Sequence, residues 1–235
     1  MIIQADGDFF LFITQPDHAR LAADAIAHWT ADGFAHHPRR AVILLATCEH
    51  DNGWIEEDAE THVDGDGTPL DFVAVPAAVR QRIWPRAVNR MARRDPYAAA
   101  LIAHHAIAVY SASRNDEGWL AFFDGLSELR DRFLAASGLN RETLDADYRF
   151  VNAADRLSLA FCTRWARPLE SYGRQIILKG QMVEITPDPF DGARIPLTVT
   201  ARRLRRQRYR TSGELREALK DAAVEILRGE AAGTA

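Results

Sequence analysis

The chain has 235 residues, of which 47% are hydrophobic and 26% are charged, a composition typical of an ordinary folded protein. The formal net charge of -4 excludes a uniformly basic nucleic-acid-binding protein. The longest strongly apolar run, residues 41–48, is far too short to cross a bilayer.

The cysteine content and the N-terminus indicate the compartment. Cys48 and Cys162 are the two cysteines, and each lies in an apolar stretch. A fold built on disulfides uses more cysteines in a shorter chain, so we expect two buried, reduced thiols. The first residues lack a basic region followed by a long apolar core, so we expect no signal peptide. These features predict a cytoplasmic protein.

The first fifty residues predict one short strand and two helices. Residues 9–13 are strand-like, and a helix begins near Pro16, since the missing N–H of proline has no partner in a first turn anyway. Residues 41–51 are apolar nearly all round, which predicts a buried helix. Asn52-Gly53 is expected to end that helix.

Helices are also expected through the middle of the chain. Residues 59–76 are rich in Gly, Pro and Asp and predict a long ordered loop. Asp95-Pro96 is a good cap followed by proline at the first helical position. The predicted helices are residues 75–90 with an interruption at Pro85, 96–110, 116–137 and 142–166.

The pattern changes after Pro168. Runs rich in β-branched residues at 174–179, 183–186 and 195–201 predict a small antiparallel sheet. Thr211-Ser-Gly-Glu214 resembles a capping box that opens a last helix to Arg228, with a disordered tail at 229–235. We therefore predict a mainly α fold, with a helical metal-binding domain at 1–168 and, packed on it, a small β-sheet with a terminal helix at 169–235.

Several ionisable residues stand where the pattern calls for apolar ones. They are His18, the pair His50-Asp51, the pair His104-His105, and Asp155. Any one of them alone is more often a hydrogen-bonded core residue than a ligand. Imidazoles and carboxylates that converge in a dry interior are, however, what a metal site needs. As a set on consecutive helices they indicate a metal site.

The order of these residues resembles the HD superfamily of metal-dependent phosphohydrolases over about residues 12–166. The matching segments are Asp17-His18-Ala-Arg-Leu-Ala, Leu44-Leu-Ala-Thr-Cys-Glu-His50-Asp51-Asn-Gly53, Ile102-Ala-His104-His105 and Val151-Asn-Ala-Ala-Asp155-Arg-Leu. The resemblance implies an HD-type helical bundle. It also implies one divalent ion (Mn, Fe, Mg, Co or Zn) held by His18, His50, Asp51 and Asp155.

A second ion and a proton-transferring carboxylate are further implications of the resemblance. Some HD enzymes with two ions use an adjacent histidine pair, which His104 and His105 match. They also need a further histidine between the His-Asp motif and that pair, and only His62 lies there. We expect one ion and leave a second open. The catalytic candidates are Asp51 and, in the acidic cluster that follows it, Glu57 and Asp58; a solvated loop is the alternative for that cluster.

The predicted function is hydrolysis of a phosphoester, a nucleotide or a small phosphorylated metabolite, by a metal-activated water. Two alternatives stay open: an HD-type di-iron oxygenase, supported by the histidine pair, and a non-catalytic scaffold that binds a metal or ligand. The expected partner is a small anionic substrate. We expect no membrane or nucleic-acid partner, and we leave a homodimer open.

Shorter phrases resemble a bacterial family of unknown function. They are Gln15-Pro-Asp-His-Ala, His50-Asp-Asn-Gly-Trp54 and Asp95-Pro-Tyr-Ala. This resemblance implies no activity. The arginine run Arg202–Arg210 is the strongest charge feature, and we interpret it as a positively charged sheet edge rather than a phosphate-binding surface.

Overall fold

The computed structural model describes residues 1–234. Four of its helices have an N-cap residue whose side chain binds the first turn. Thr14, Asp95, Asn140 and Thr211 each accept a hydrogen bond from a backbone N–H of the first turn. The helices of the described residues are α1 Gln15–Ile26, α2 Arg40–Glu49, α3 Ile55–Glu60, α4 Ala77–Ala92, α5 Pro96–Val109, α6 Leu120–Ala136, α7 Arg141–Thr163 and α8 Ser212–Lys220.

A single mixed sheet contains strands from both ends of the chain. Its order is β1-β2-β6-β7-β5-β4-β3, and every neighbouring pair is antiparallel except β5 and β7. The strands are β1 Ile2–Asp6, β2 Phe9–Ile13, β3 Leu169–Ser171, β4 Arg174–Lys179, β5 Met182–Thr186, β6 Arg194–Arg205 and β7 Ala223–Gly233.

The predicted fold class, a mainly α HD-type bundle with a small antiparallel sheet and a terminal helix, is wrong. About 52% of the chain is helical and 21% is strand, in a seven-stranded, curled and mixed sheet. The N-terminal hairpin of β1 and β2 joins β6, so the sheet is not confined to the C-terminal region. Strand β7 follows the last helix and pairs with β6 on one side and β5 on the other.

Two element predictions fail for different physical reasons. Helix α4 continues through Pro85, because its buried face of Ile83, Trp84 and Ala87 outweighs the one backbone hydrogen bond that proline removes. The last helix ends at Lys220, and residues 223–233 form a strand instead of more helix and a disordered tail. Ala235, the end of that predicted tail, lies outside the described residues.

One hydrophobic core lies between the helices and the curled sheet. Its residues come from the whole chain, the first being Ile2 and the last Ala231. Helices α1 and α7 pack against each other, α7 contacts β1, β3, β4 and β5, and α1 contacts β6. A smaller cluster of Phe12, Tyr209, Leu215 and Leu219 fixes α8 on the sheet. The predicted domain division at residue 168 stays a prediction. The sheet takes strands from both sides of that residue.

The arginine run begins inside β6, which ends at Arg205, and it is partly neutralised. Its first residues pair with both β2 and β7, so the run does not begin at a sheet edge, contrary to our interpretation of the sequence. The Arg203 guanidinium lies between the carboxylates of Asp6 and Glu225, and Arg210 pairs with Glu214. Among residues 1–234, no helix is both long and apolar enough to span a membrane.

Candidate metal centre

Three helices place four ionisable side chains at one point inside the molecule. His18 is on the inward face of α1, His50 caps the C-terminus of α2, Asp51 begins the turn that follows, and Asp155 is on α7. All four residues are buried, with exposed fractions of 1%, 0%, 7% and 5% in that order. Ionisable side chains are rarely buried to this extent unless they are paired or bind a metal.

The donor atoms of these side chains have the spacing of metal ligands. His18 Nε2 lies 3.1 Å from Asp155 Oδ1 and 3.8 Å from Asp51 Oδ2. His50 Nε2 lies 3.5 Å from Asp51 Oδ2 and 3.6 Å from Asp155 Oδ1. Donors about 2.1 Å from a tetrahedral or octahedral ion are roughly 3.0–3.4 Å apart. His18, His50 and Asp51 form one group that could hold a metal ion, and Asp155 lies close enough to both imidazoles to add a fourth ligand.

Hydrogen bonds on the far side of each imidazole direct Nε2 toward the centre of the site. His50 Nδ1 donates to the Thr47 carbonyl oxygen at 2.6 Å, so His50 Nε2 presents a lone pair and has no hydrogen-bond partner within residues 1–234. The Ser158 hydroxyl donates to the His18 carbonyl oxygen and accepts from His18 Nδ1 at 2.7 Å. Metal-binding histidines are oriented by bonds of this kind.

The electrostatics of the site favour a positive charge at its centre. Burial opposes charge on the His50 imidazole, but the carboxylates of Asp51 and Asp155 outweigh it and raise the pKa of His50 to about 9. Burial raises the pKa of the Asp51 carboxyl. Burial would raise the pKa of Asp155 too, but hydrogen bonds from His18 and His50 outweigh it and hold that pKa well below the ordinary value. Either a proton or a cation satisfies this arrangement.

His105 lies beside the metal centre and His104 points elsewhere. His105 forms a second potential metal-binding group with His50 and Asp155, and its Nδ1 shares a hydrogen bond of 3.1 Å with the Tyr148 hydroxyl. Burial lowers the pKa of His105 to about 3, so this ring is neutral. His104 Nε2 faces Asp145 at 3.5 Å on the outer side of α5. The adjacent pair therefore does not converge on one ion.

The two acidic catalytic candidates are bound to other groups. Glu57 accepts hydrogen bonds from Arg82 at 2.6 and 2.8 Å, which lower its pKa, and His62 also contacts it. Asp58 binds the N-terminal amino group and the backbone N–H of Gln15, and burial raises its pKa. Neither side chain lines the cavity above the metal centre.

A cavity of about 190 Å³, here called the central cavity, opens onto the metal centre. Its floor contains His18, Asp51, His105 and Asp155, and its walls include Trp54, Phe72, Trp84, Tyr110 and Trp165. Arg156 and Arg167 line it too, and neither forms a salt bridge with any residue of the described chain. The cavity therefore combines a metal-binding floor, an aromatic wall and two available cations.

Sequence reasoning missed the residues that orient and surround the ligands. Ser158 follows Asp155 by about one helical turn, which could have indicated a partner for His18, but no pattern links Tyr148 to His105. Arg156 directly follows Asp155 in the sequence, and nothing in the helical pattern indicates that it lines the cavity. Arg167 follows the last turn of α7, where no periodicity predicts its direction.

Comparison with curated proteins and with solved structures finds no match. A family model described as "Protein of unknown function (DUF3891)" matches residues 1–206, which include all four residues of the metal centre and the lining of the central cavity. The chain belongs to this family.

Proposed function

We propose that the protein is a metal-dependent phosphoester hydrolase of the HD type, which holds one divalent ion on His18, His50, Asp51 and Asp155. The observation that carries the proposal is the convergence of these four buried donors, in which each imidazole Nε2 lies 3.1 to 3.8 Å from a carboxylate oxygen of Asp51 and of Asp155. Two imidazoles and two carboxylates suit Mn, Fe, Co or Zn better than Mg, which prefers oxygen ligands.

A bound divalent ion would supply an acidified water and neutralise charge on phosphate oxygens. The chain itself supplies the binding of an anionic substrate: Arg156 and Arg167 line the central cavity without carboxylate partners. The aromatic wall excludes water and so strengthens these charge interactions. Reduced Cys48 and Cys162 fit a reaction in the cytoplasm.

Proton transfer is a separate question from metal binding. Glu57 and Asp58 each have a charged partner and lie outside the central cavity, so we assign them to holding α3 in place. A pKa of about 3 makes His105 a poor general base near pH 7. We assign to His105 a hydrogen bond to substrate or metal-bound water, or a fifth ligand position.

The first test measures metal content and phosphoesterase activity on the untagged protein. We expect about one divalent ion per chain by elemental analysis, and release of phosphate from p-nitrophenyl phosphate or nucleoside monophosphates that depends on that ion. His50→Ala should abolish both, because His50 belongs to both potential metal-binding groups. His36→Ala is the matched control, since His36 is exposed at the end of the short 3₁₀ helix that follows α1 and should change neither.

Two results would replace the proposal. Two irons per chain with a charge-transfer band would indicate an oxygenase, for which the group of His50, His105 and Asp155 is the only support. That group shares His50 and Asp155 with the four residues proposed to hold the ion. Because the two groups overlap, a single ion is favoured. Stoichiometric metal without hydrolysis across a broad phosphatase screen would indicate a binding scaffold.

A further inference from the structure

A second cavity, of about 210 Å³, shares no lining residue with the central cavity. It lies between α7, the loop after α1 and the turn that joins β3 to β4. We call it the arginine pocket, and its lining is Trp29, Asp32, Arg149, Phe150, Ala153, Ser171, Tyr172 and Arg174. Arg149 and Ala153 are one helical turn apart on α7, on a face that does not include Asp155.

Three buried N–H groups of the arginine pocket lack an acceptor among residues 1–234: Trp29 Nε1, Arg149 Nε and Arg174 Nε. Trp29 is only 2% exposed, and the side chain of Arg174 is 13% exposed. Native proteins rarely leave buried donors without a partner. All three groups are donors that cannot accept, so the partner they suit is rich in acceptor oxygens.

One terminal nitrogen of each of the two guanidinium groups is held in place. Arg174 Nη1 pairs with the Asp32 carboxylate at 2.9 Å, and Arg149 Nη2 donates to the Asp32 carbonyl oxygen at 3.3 Å. Asp32 thus fixes both arginines while their Nε–H groups remain unpartnered. Two arginines and one aspartate leave the arginine pocket with a net positive charge, which favours an anion.

Aromatic rings give the arginine pocket an apolar wall. Arg174 lies 5.1 Å above the Trp29 ring and Arg149 lies 4.6 Å from the Phe150 ring. Tyr172 is 57% exposed and has a φ of 46°, a left-handed conformation unfavourable for a tyrosine. Strained residues of this kind concentrate at ligand sites. The pocket can therefore receive an anion that also has a flat apolar body.

We propose that the arginine pocket binds a small organic oxyanion, whose carboxylate or phosphate group accepts from Arg149 and Arg174 and whose body packs against Trp29 and Tyr172. This site is separate from the metal centre and does not depend on the proposed hydrolase activity. Its volume lies below that of a drug-sized site, so the ligand is a small metabolite.

A chain of hydrogen bonds connects the arginine pocket to the central cavity. Ser171 Oγ donates to Asn152 Oδ1 at 2.8 Å, and Asn152 Nδ2 donates to the Tyr148 hydroxyl at 3.3 Å. Tyr148 in turn contacts His105 Nδ1 at 3.1 Å. A ligand against Ser171 and Tyr172 is therefore connected through Ser171, Asn152 and Tyr148 to His105, which belongs to the floor of the central cavity.

Calorimetric titration with two probes, benzoate and inorganic phosphate, tests the proposal on the metal-loaded protein. We expect at least one probe to bind, and its identity distinguishes a carboxylate from a phosphate site. Arg174→Met and Arg149→Met should each raise the dissociation constant about tenfold or more, because each removes a charge-assisted hydrogen bond. Arg174→Lys retains the charge near Asp32 but lacks Nε–H, and should give an intermediate loss.

Two further variants separate the arginine pocket from other sites. Arg132→Met removes an exposed arginine that lies 4.7 Å from the Phe133 ring, and it should bind the probe as the wild type does. Arg156→Met removes a cation of the central cavity and so reports any phosphate that binds there instead. Failure of both probes to bind, or binding that is lost in Arg156→Met but kept in Arg149→Met and Arg174→Met, would overturn the proposal. If Arg174→Met does not fold, Arg149→Met decides, since the pairing of Arg174 with Asp32 is intact in it.

Discussion

The Ser158 hydroxyl holds His18 in the tautomer that a metal requires. It accepts from His18 Nδ1 and donates to the His18 carbonyl oxygen, so it joins α7 to α1 at the metal centre. Without this acceptor the His18 ring can rotate, and its proton can move to Nε2, where it blocks the metal. Partners of this kind typically change metal affinity by about 10–100-fold.

We predict that Ser158→Ala weakens metal binding by roughly 10–100-fold while lowering the free energy of unfolding of the metal-free protein by only about 1 kcal/mol. Competition with a fluorescent chelator measures the first quantity, and urea unfolding measures the second. Ser137→Ala removes a hydroxyl that donates to the Leu134 carbonyl at the end of α6, and serves as control. Equal metal affinity in both variants would show that Ser158 does not orient His18.

The sequence made three of the four candidate ligands visible because each is an ionisable residue in an apolar helical segment. His18, His50 and Asp155 could be selected on that basis, Asp51 directly follows His50, and the structure brings the four together. What the sequence could not show is distance: convergence depends on how α1, α2 and α7 pack. Adjacent helical positions point about 100° apart, which favours His105 over His104 as the inward ring. Only the packing of the helices shows what each ring contacts, or that Glu57 binds Arg82.

At the scale of elements, the turn that contains Asp51 is held against α4 by a glycine. A Cβ on Gly53 would lie 2.0 Å from the Ile83 carbonyl oxygen and 3.1 Å from Ala87 Cβ. Arg86 Nη1 also donates to the Gly53 carbonyl oxygen at 3.1 Å. Because the obstructing atom is backbone, the two elements would have to separate, and Asp51 would move with the turn.

Gly53→Ala is therefore expected to lower the free energy of unfolding by about 2 kcal/mol or more, because overpacked positions cost this much, and to weaken metal binding as well. Chemical denaturation and metal titration measure the two effects. Gly125→Ala is the matched control: no atom lies within 4 Å of its added Cβ, and it is inside α6, so stability should rise by about 0.5–1 kcal/mol. A neutral result at Gly53 would contradict the close packing of this turn.

The elements that the sequence misrepresented are those that depend on distant partners. Residues 223–233 contain Ala, Glu, Leu and Arg, which are good helix formers, yet they form β7. Their conformation is fixed by pairing with β6 and β5, which outweighs local preference. By contrast, the prediction for residues 174–179 is confirmed as β4, because its β-branched residues and flanking turns are local signals.

At the scale of the whole molecule, the sheet joins the two ends of the chain beneath the helices that carry the metal centre. Helix α7 supplies Asp155 on one side and packs on β3, β4 and β5 on another. Strand β7 lies inside the sheet, and a Cβ at Gly229 would lie 2.5 Å from the Phe161 ring of α7. The family match ends at residue 206, before α8 and β7 complete this sheet.

The last prediction follows from the central position of β7. Removing residues 223–235 leaves β5 and β6 without a neighbour and exposes the core around Ile195 and Leu197. Since a domain is stable by only about 5–15 kcal/mol, this loss should abolish cooperative thermal unfolding and metal binding together. Ile226→Thr is the control: this side chain is 53% exposed, so the change should alter stability by about 0.5 kcal/mol or less. Adding the peptide 221–235 to the shortened chain should restore cooperative unfolding. A shortened chain that still unfolds cooperatively and binds metal would show that β7 is dispensable.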